Sequence, residues 1–298
     1  MAGKDFFGSR DRKSVRRLSH STTIADGRTV TLTVLSYASR SFRRSQDILL
    51  SSVRQHWPRD VTCRSLGPKD IDPTFRRDHS QILSQRRGAG YWLWKPYVIL
   101  KTLETLSELD VLVYLDAGVR VIASYDVSKL VTPESPIFIP RTHTHLNCYW
   151  TKREFLEILD CEVDSFLRSE QCAAGMQIYM KTPKSVEFAK SYLELCCDEH
   201  LLLDDTRTPG NERPEFSEHR HDQTVLSYLV WTNGIPAHRD PSQFGNAFNS
   251  AFPEDRYPQI FDQHRYRTMT IWQRIQRKTY SLGNRLVGKE LFDTSNFT

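Results

Sequence analysis

No stretch of this chain reaches the roughly 18 consecutive apolar residues that a membrane-spanning helix requires. Its opening residues, "MAGKDFFGSRDRKSVRRLSH", are basic and polar and lack the apolar core of a secretory signal. Cysteine is sparse and poorly spaced for framework chemistry. Cys63, Cys148, Cys161, Cys172, Cys196 and Cys197 form no CxxC pair and have no histidine partners at zinc spacing. Cys196 and Cys197 are adjacent, a poor arrangement for a shared disulfide, so the thiols read as reduced in a cytosolic setting. Residues 1–28 are therefore expected to be a basic, solvated arm, and the protein to be cytoplasmic, neither secreted nor anchored.

Two ligand-binding signatures are also missing. The first apolar run, "TVTLTVLSYAS", is followed by "YASRSF" with no GxGxxG, which argues against a dinucleotide site. The GxxxxGK[ST] pattern of a Walker phosphate loop is absent as well. No internal repeat or low-complexity tract is found. The formal charge of +5 suits a protein that handles phosphorylated ligands, but it is too small and scattered for duplex nucleic acid.

What is present is ordinary for a folded chain: 298 residues, 39% hydrophobic and 26% charged, enough for one large α/β domain or two small ones. "TVTLTVLSYAS" alternates β-branched and apolar residues as a strand does. "SQDILLSSVRQHW" places Ile48, Leu49, Ser52 and Val53 on one helical face before Pro58. "DVTCRSLG", "DVLVYL", "SPIFIP" and "AAGMQIYMKT" read as further strands. Pro96 and Pro183 open helices, where a missing N–H costs nothing. "HDQTVLSYLVW" reads as a helix and 204–220 as a polar loop. Strands alternating with helices predict an α/β fold, an open, mostly parallel sheet wrapped on both faces. Ligands of such sheets bind beyond the carboxyl ends of the strands.

Asp116 stands at one of those ends, after the apolar run Val111 to Leu115. An acid there is costly unless it meets a cation, a donor or solvent. Three roles fit it: capping the next turn, ligating a divalent ion on a pyrophosphate, or bonding a sugar hydroxyl. Gly118 fits all three by allowing close approach. "RRGAGYWLWKP" is more unusual. It reads either as a ligand-facing loop, with Arg86, Arg87 and Lys95 for phosphate and Trp92 and Trp94 for sugar rings, or as a packed aromatic plug with surface arginines. In "EHRHDQTVLSYL", Asp222 is either a helix-start carboxylate or a catalytic one facing the sugar. His264 is a candidate for a metal or pyrophosphate role, against the commoner structural one. Lys152 and Arg153 read as a solvated first turn. "TIWQRIQRKTYSLGNRLVGK" mixes Ile271, Trp272, Ile275 and Leu282 with basic residues. It is either a helix packed back over the domain or a segment making peripheral contact with an anionic membrane surface.

Taken in order, "GYWLWKP…YLDAG…WTKR…HDQ" resembles nucleotide-diphospho-sugar transferases of the GT-A fold, in particular microbial and large-virus glycosyltransferases. The resemblance covers 29–267. It implies a single glycosyltransferase domain over 29–268, followed by a basic amphipathic extension over 269–298. It implies a hexosyl- or deoxyhexosyltransferase acting on a UDP- or GDP-linked sugar donor, with a glycan, lipid-linked or other hydroxyl acceptor. By the same resemblance, the base and ribose lie near Leu35, Ser36, Tyr37 and Arg40. Asp116 matches the first acid of a DxD element that holds Mn²⁺ or Mg²⁺, with Ala117 and Gly118 beside the donor. Ala174 and Gly175 match the floor of the sugar pocket, and Asp222 and Gln223 match a pair facing the sugar. His264 matches a late metal-ligating histidine. Arg86, Arg87, Trp94, Lys95 and Arg265 are the further donor-binding candidates. The second acid of DxD is Gly118 here, so the usual two-carboxylate clamp is incomplete. Metal assistance and neutralisation by Arg86, Arg87, Lys95 or Arg265 both stay open. So does a non-catalytic module that binds nucleotide sugars through a degenerate DxD.

Overall fold

The computed structural model describes residues 30–58, 60–204 and 210–264. The expected basic arm over 1–28, Arg265, the extension over 269–298 and its membrane contact lie outside the described residues. Strand β1 (Leu32–Tyr37) leads through helix α1 (Arg43–His56) to β2 (Thr62–Leu66), and helix α2 (Trp94–Glu104) leads to β3 (Val111–Leu115). After the short strand β4 (Val119–Val121) come β5 (Ile137–Phe138), β6 (Arg141–Leu146), β7 (Glu170–Cys172) and β8 (Met176–Met180). Helices α3 (Pro183–Cys197) and α4 (Asp222–Thr232) follow, and β9 (Phe261–Gln263) closes the described chain.

The central sheet has five strands in the order β2-β1-β3-β8-β5. β1 pairs in parallel with β2 and β3, while β8 runs antiparallel to both β3 and β5. The mostly parallel open sheet with helices on both faces is thus observed, with one reversed strand that the apolar pattern did not disclose. That reversal positions the site. β8 starts at the carboxyl end of β3 and runs back along it, with Leu115 opposite Met176 and Val111 opposite Met180. The ladder continues one step further, where the Asp116 N–H donates to the Gly175 carbonyl at 2.9 Å.

β3 is apolar throughout because both of its faces are covered. Val111, Val113 and Leu115 pack with Leu49, Val53 and Trp57 from the α1 side. Leu112 and Tyr114 pack on the other face with Tyr97 and Val98 of α2, Tyr192 of α3 and Leu226 of α4. Each such aliphatic side chain contributes about 1.5–3 kcal/mol of burial, and truncating fully buried Leu112 to alanine costs about 2–5 kcal/mol. α3 begins in a capping box: the Ser185 N–H donates to Thr182 Oγ1 at 3.2 Å and the Thr182 N–H to Ser185 Oγ at 3.0 Å. Beyond the main sheet, β4 pairs with β9 and β6 with β7, both antiparallel. The β4–β9 pair extends to the loop after β3, where the His264 N–H donates to the Gly118 carbonyl at 2.7 Å. No helix among the described residues is long and apolar enough to cross a membrane.

Candidate active site

Side chains repeat every second residue along a strand, so Tyr114 and Asp116 leave the end of β3 on the same face. That face looks toward the start of α2 and carries Lys95. The Lys95 ammonium lies 2.8 Å from Asp222 Oδ2 and 3.5 Å from Asp116 Oδ1. The Tyr114 hydroxyl donates to Asp116 Oδ1 at 2.5 Å, and the Tyr192 hydroxyl to Asp222 Oδ2 at 3.2 Å. Burial alone would lower the pKa of Lys95, but Asp116 and Asp222 outweigh it and hold the ammonium above its ordinary value. Burial lifts the Asp222 carboxyl above its usual range, while Lys95 pulls it back. Burial and the adjacent carboxylates push both tyrosines well up, so each hydroxyl keeps its proton to donate.

Exposure separates the two acids. The Asp116 side chain is 38% exposed and that of Asp222 only 6%. Asp116 Oδ2 faces Gly175, where an added Cβ would sit 3.0 Å away. Asp222, expected to face the sugar, lies beneath Lys95 with its Oδ2 bound by Lys95 and Tyr192. Lys95, expected as a phosphate contact, is 3% exposed and bound to two carboxylates.

The stretch from Arg86 to Trp94 adopts the second of its two readings, a packed plug. Gly88, Ala89, Gly90, Tyr91 and Trp92 all have positive φ, between 47° and 99°, which makes one left-handed turn. Such a turn costs roughly 1–2 kcal/mol for each residue other than glycine, so its surroundings must hold it. A Cβ on Gly88 would run into the Trp92 ring at 2.4 Å. Trp92 stacks on His221 at 5.5 Å, and Tyr91 meets the same ring edge-on. Asp204 ties the turn from outside, accepting from Arg87 Nη1 at 3.0 Å and from the Tyr91 hydroxyl at 2.9 Å. Trp94 is 7% exposed, stacks on Tyr37 at 4.0 Å and donates from Nε1 to the Gly88 carbonyl at 2.9 Å. Neither tryptophan offers an open face to a sugar, and Arg87 is committed to Asp204 and Glu218. Arg86 is exposed. His221, at φ 53° and ψ −124° immediately before α4, is a further strained residue of this clamp, to which the sequence assigned no role; Tyr114, Tyr192 and Asp204 were missed as site residues. The two-residue step from Tyr114 to Asp116 was the available signal for Tyr114; the others are long-range partners.

Around Asp116 the remaining candidates divide. Ala117 and Ala174 are buried, and Gly118 and Gly175 are half-buried. Gln223 is half-buried and donates from Nε2 to Gln171 Oε1 at 2.6 Å. Ser36 is fully buried and lies on the α1 side of β1, so its hydroxyl does not face the Asp116 side of the sheet. Tyr37 is taken up by Trp94, and burial pushes its hydroxyl up to about 12. Arg40 is exposed. Gly118 admits the backbone of His264, where an added Cβ would meet the His264 carbonyl oxygen at 2.8 Å. Burial and Arg120 hold the His264 imidazole below its ordinary pKa, so it is neutral near pH 7. Lys152, expected to be solvated, is 1% exposed and donates to the Leu203 carbonyl at 2.9 Å.

The residues present were weighed against a divalent ion by their donor set and charge. Among the described residues, no group of three or more His, Cys, Asp or Glu side chains is arranged to hold a metal. Asp116 Oδ2 nonetheless faces outward next to a glycine, and the three ionised groups Lys95, Asp116 and Asp222 sum to a single negative charge. That donor set fits a cation held mostly by a ligand's own oxygens, and no closed protein cage. A cavity of about 180 Å³, lined by Glu134, Pro136, Lys184 and Gly234 among others, lies at the amino end of β5, away from Asp116; it is smaller than the roughly 300 Å³ usual for a ligand pocket.

No protein-family model matches the chain, and no curated protein matches it. Among solved structures, it is similar to a glycosyltransferase involved in the glycosylation of the major capsid of PBCV-1. The identity is 13% and the TM-score 0.42, over 78% of this chain and 93% of that one. It is also similar to mouse xyloside xylosyltransferase 1 in its apo form, with 9% identity and a TM-score of 0.44, over 81% of this chain and 100% of that one.

Proposed function

We propose that this chain is a glycosyltransferase, moving a sugar from a UDP- or GDP-linked donor to a hydroxyl acceptor at the carboxyl end of β3. One observation carries the reading. Asp116 ends a fully buried strand with Oδ1 held by Tyr114 and Lys95, and with Oδ2 presented outward past Gly175. The order of motifs around it, from "GYWLWKP" through "YLDAG" to "HDQ", supports the same reading.

Glycosyl transfer requires charge stabilisation of the departing nucleoside diphosphate. A diphosphate that approaches a cluster of net charge −1 is repelled unless a cation accompanies it. Asp116 and His264 would hold Mn²⁺ or Mg²⁺, which when bound supplies that stabilisation. The Tyr114 hydroxyl keeps the Asp116 carboxylate in one orientation. Gly175 keeps the space before it clear, and Gln223 presents a half-buried amide on the α4 side. Among the described residues, exposed Arg40 and Arg86 are basic residues available to the nucleotide. The glycan or lipid-linked acceptor enters over the open, solvent-facing side of Asp116.

The test is nucleoside diphosphate release from a panel of UDP- and GDP-sugars, with and without Mn²⁺, by wild type and Asp116→Asn. The expected outcome is metal-stimulated release that falls at least a hundredfold in the variant. Undiminished release by Asp116→Asn removes the site assignment. Binding of UDP or GDP with no release from any donor describes a nucleotide-sugar-binding module instead.

A further inference from the structure

Asp116 and Asp222 lie 106 positions apart in the chain (222 minus 116), yet both close on the ammonium of Lys95. They hold it unequally. The contact with buried Asp222 is 2.8 Å and that with half-exposed Asp116 is 3.5 Å. Attraction between charges strengthens as solvent is excluded, so the buried arm draws Lys95 inward. Asp116 is left with most of its charge directed outward. Tyr114 and Tyr192 each fix one carboxylate by a neutral hydrogen bond and cancel no charge. Two carboxylates that share one cation are linked, because whatever releases the ammonium from one delivers it to the other.

We infer that Asp222 is a positioning residue: it restrains Lys95 from neutralising Asp116, and thereby keeps the outward Asp116 oxygen charged for a cation-borne nucleoside diphosphate that Asp222 itself does not touch. The nature of that ligand rests on the glycosyl-transfer reading; the sharing of the ammonium does not. The charge count gives a specific consequence. Wild type carries −1 over the three groups. Asp222→Asn leaves Lys95 and Asp116 as a neutral pair. Lys95→Met with Asp222→Asn restores −1, now on Asp116 alone, and buries no unpaired charge. A second substitution therefore rescues the first.

The experiment compares the full-length wild type, Asp222→Asn and the double variant. Mn²⁺ is titrated in the presence of UDP or GDP and followed by its paramagnetic resonance signal, and thermal unfolding is recorded without ligand. Asp222→Asn is expected to weaken Mn²⁺ binding at least fivefold and to lower Tm by about 4 °C or more, as Lys95 loses its buried partner. The double variant is expected to return to within twofold of wild-type affinity and to regain most of the lost Tm. Tyr192→Phe, which keeps every charge, is expected to bind within twofold of wild type. Unchanged binding by Asp222→Asn overturns the inference. So does a double variant as weak as the single one, which would make Asp222 a direct ligand contact, and so does a fivefold loss in Tyr192→Phe. A wild type that binds neither nucleotide with Mn²⁺ overturns the glycosyl-transfer reading alone. The ammonium sharing is then decided by Tm, and a double variant no more stable than Asp222→Asn overturns it.

Discussion

A carboxylate with one oxygen tied and the other free acts as a directional group, and Asp116 has this form. Its Oδ1 is held by Tyr114, and its Oδ2 looks past Gly175 with room for nothing larger than a hydrogen on that residue. Gly175 carries no positive φ, so alanine fits its backbone and only the new methyl matters. Gly175→Ala would place carbon 3.0 Å from Oδ2, tighter than ordinary contact. We expect at least a tenfold loss of Mn²⁺-dependent UDP or GDP binding, measured by titration, with a stability change of about 1 kcal/mol or less measured by denaturant unfolding. Matching losses in both measurements would mean that Gly175 serves the fold and not the carboxylate.

At the scale of elements, the left-handed turn is where local sequence and tertiary structure conflict most. Gly90 has φ 99°, and a Cβ there would sit 2.8 Å from the Leu83 backbone. Gly90→Ala is expected to cost about 2–4 kcal/mol in urea unfolding, from backbone strain and an immovable neighbour together. Gly234, at φ 58° with nothing within 4 Å of an added Cβ, supplies the control; alanine there costs about 1 kcal/mol, the strain alone. Equal losses at the two positions would discount the contact with Leu83. The contrast also shows what the sequence discloses. β1, α1, α2, β3, α3 and α4 were legible because each carries a period of its own, or an apolar run bounded by proline. The reversal of β8 was not, since "MQIYM" reads the same in either direction of pairing. Nor were β4 and β9, three residues each and defined only by one another. "GAGYW" advertised something unusual, but its left-handed backbone is held by His221 and Asp204, which pack on or bond to Trp92, Tyr91 and Arg87 and are distant in sequence. At the site, Asp116 was legible from its place after an apolar strand. The burial of Asp222 and Lys95 was not, because it arises from three elements meeting.

For the molecule as a whole, acid should act through the segment that packs α4 against the helical turn at Glu199–Leu202. His219 is buried; its Nε2–H donates to the Leu201 carbonyl at 2.8 Å, and its Nδ1 accepts from the Lys152 N–H at 3.5 Å, which fixes the neutral tautomer. His221 donates from its own Nδ1–H to the Leu202 carbonyl at 2.8 Å. Burial depresses both pKa values, that of His219 further by His221 and Lys152. Unfolded histidine titrates near 6.5, so below that pH the unfolded chain binds more protons than the folded one. The stabilisation is thus fully present above about pH 6.5 and is lost as pH falls toward each folded pKa, by at most about 1.4 kcal/mol per pH unit for each histidine, His219 contributing over the wider range. Denaturant midpoints measured from pH 7.5 to 5.5 should fall accordingly, and less steeply in His219→Gln; an unaltered slope would place the acid sensitivity elsewhere. A last consequence concerns synthesis. His264 bonds to Gly118 across about half the length of the chain, and β9 has no partner other than β4 among the described strands. During translation, the loop bearing Asp116 therefore emerges long before the strand that braces it, and a nascent chain carries its charged cluster unfinished. That loop gains its brace only once residue 264 has cleared the ribosome and docked, a built-in delay between making the acid and fixing its surroundings.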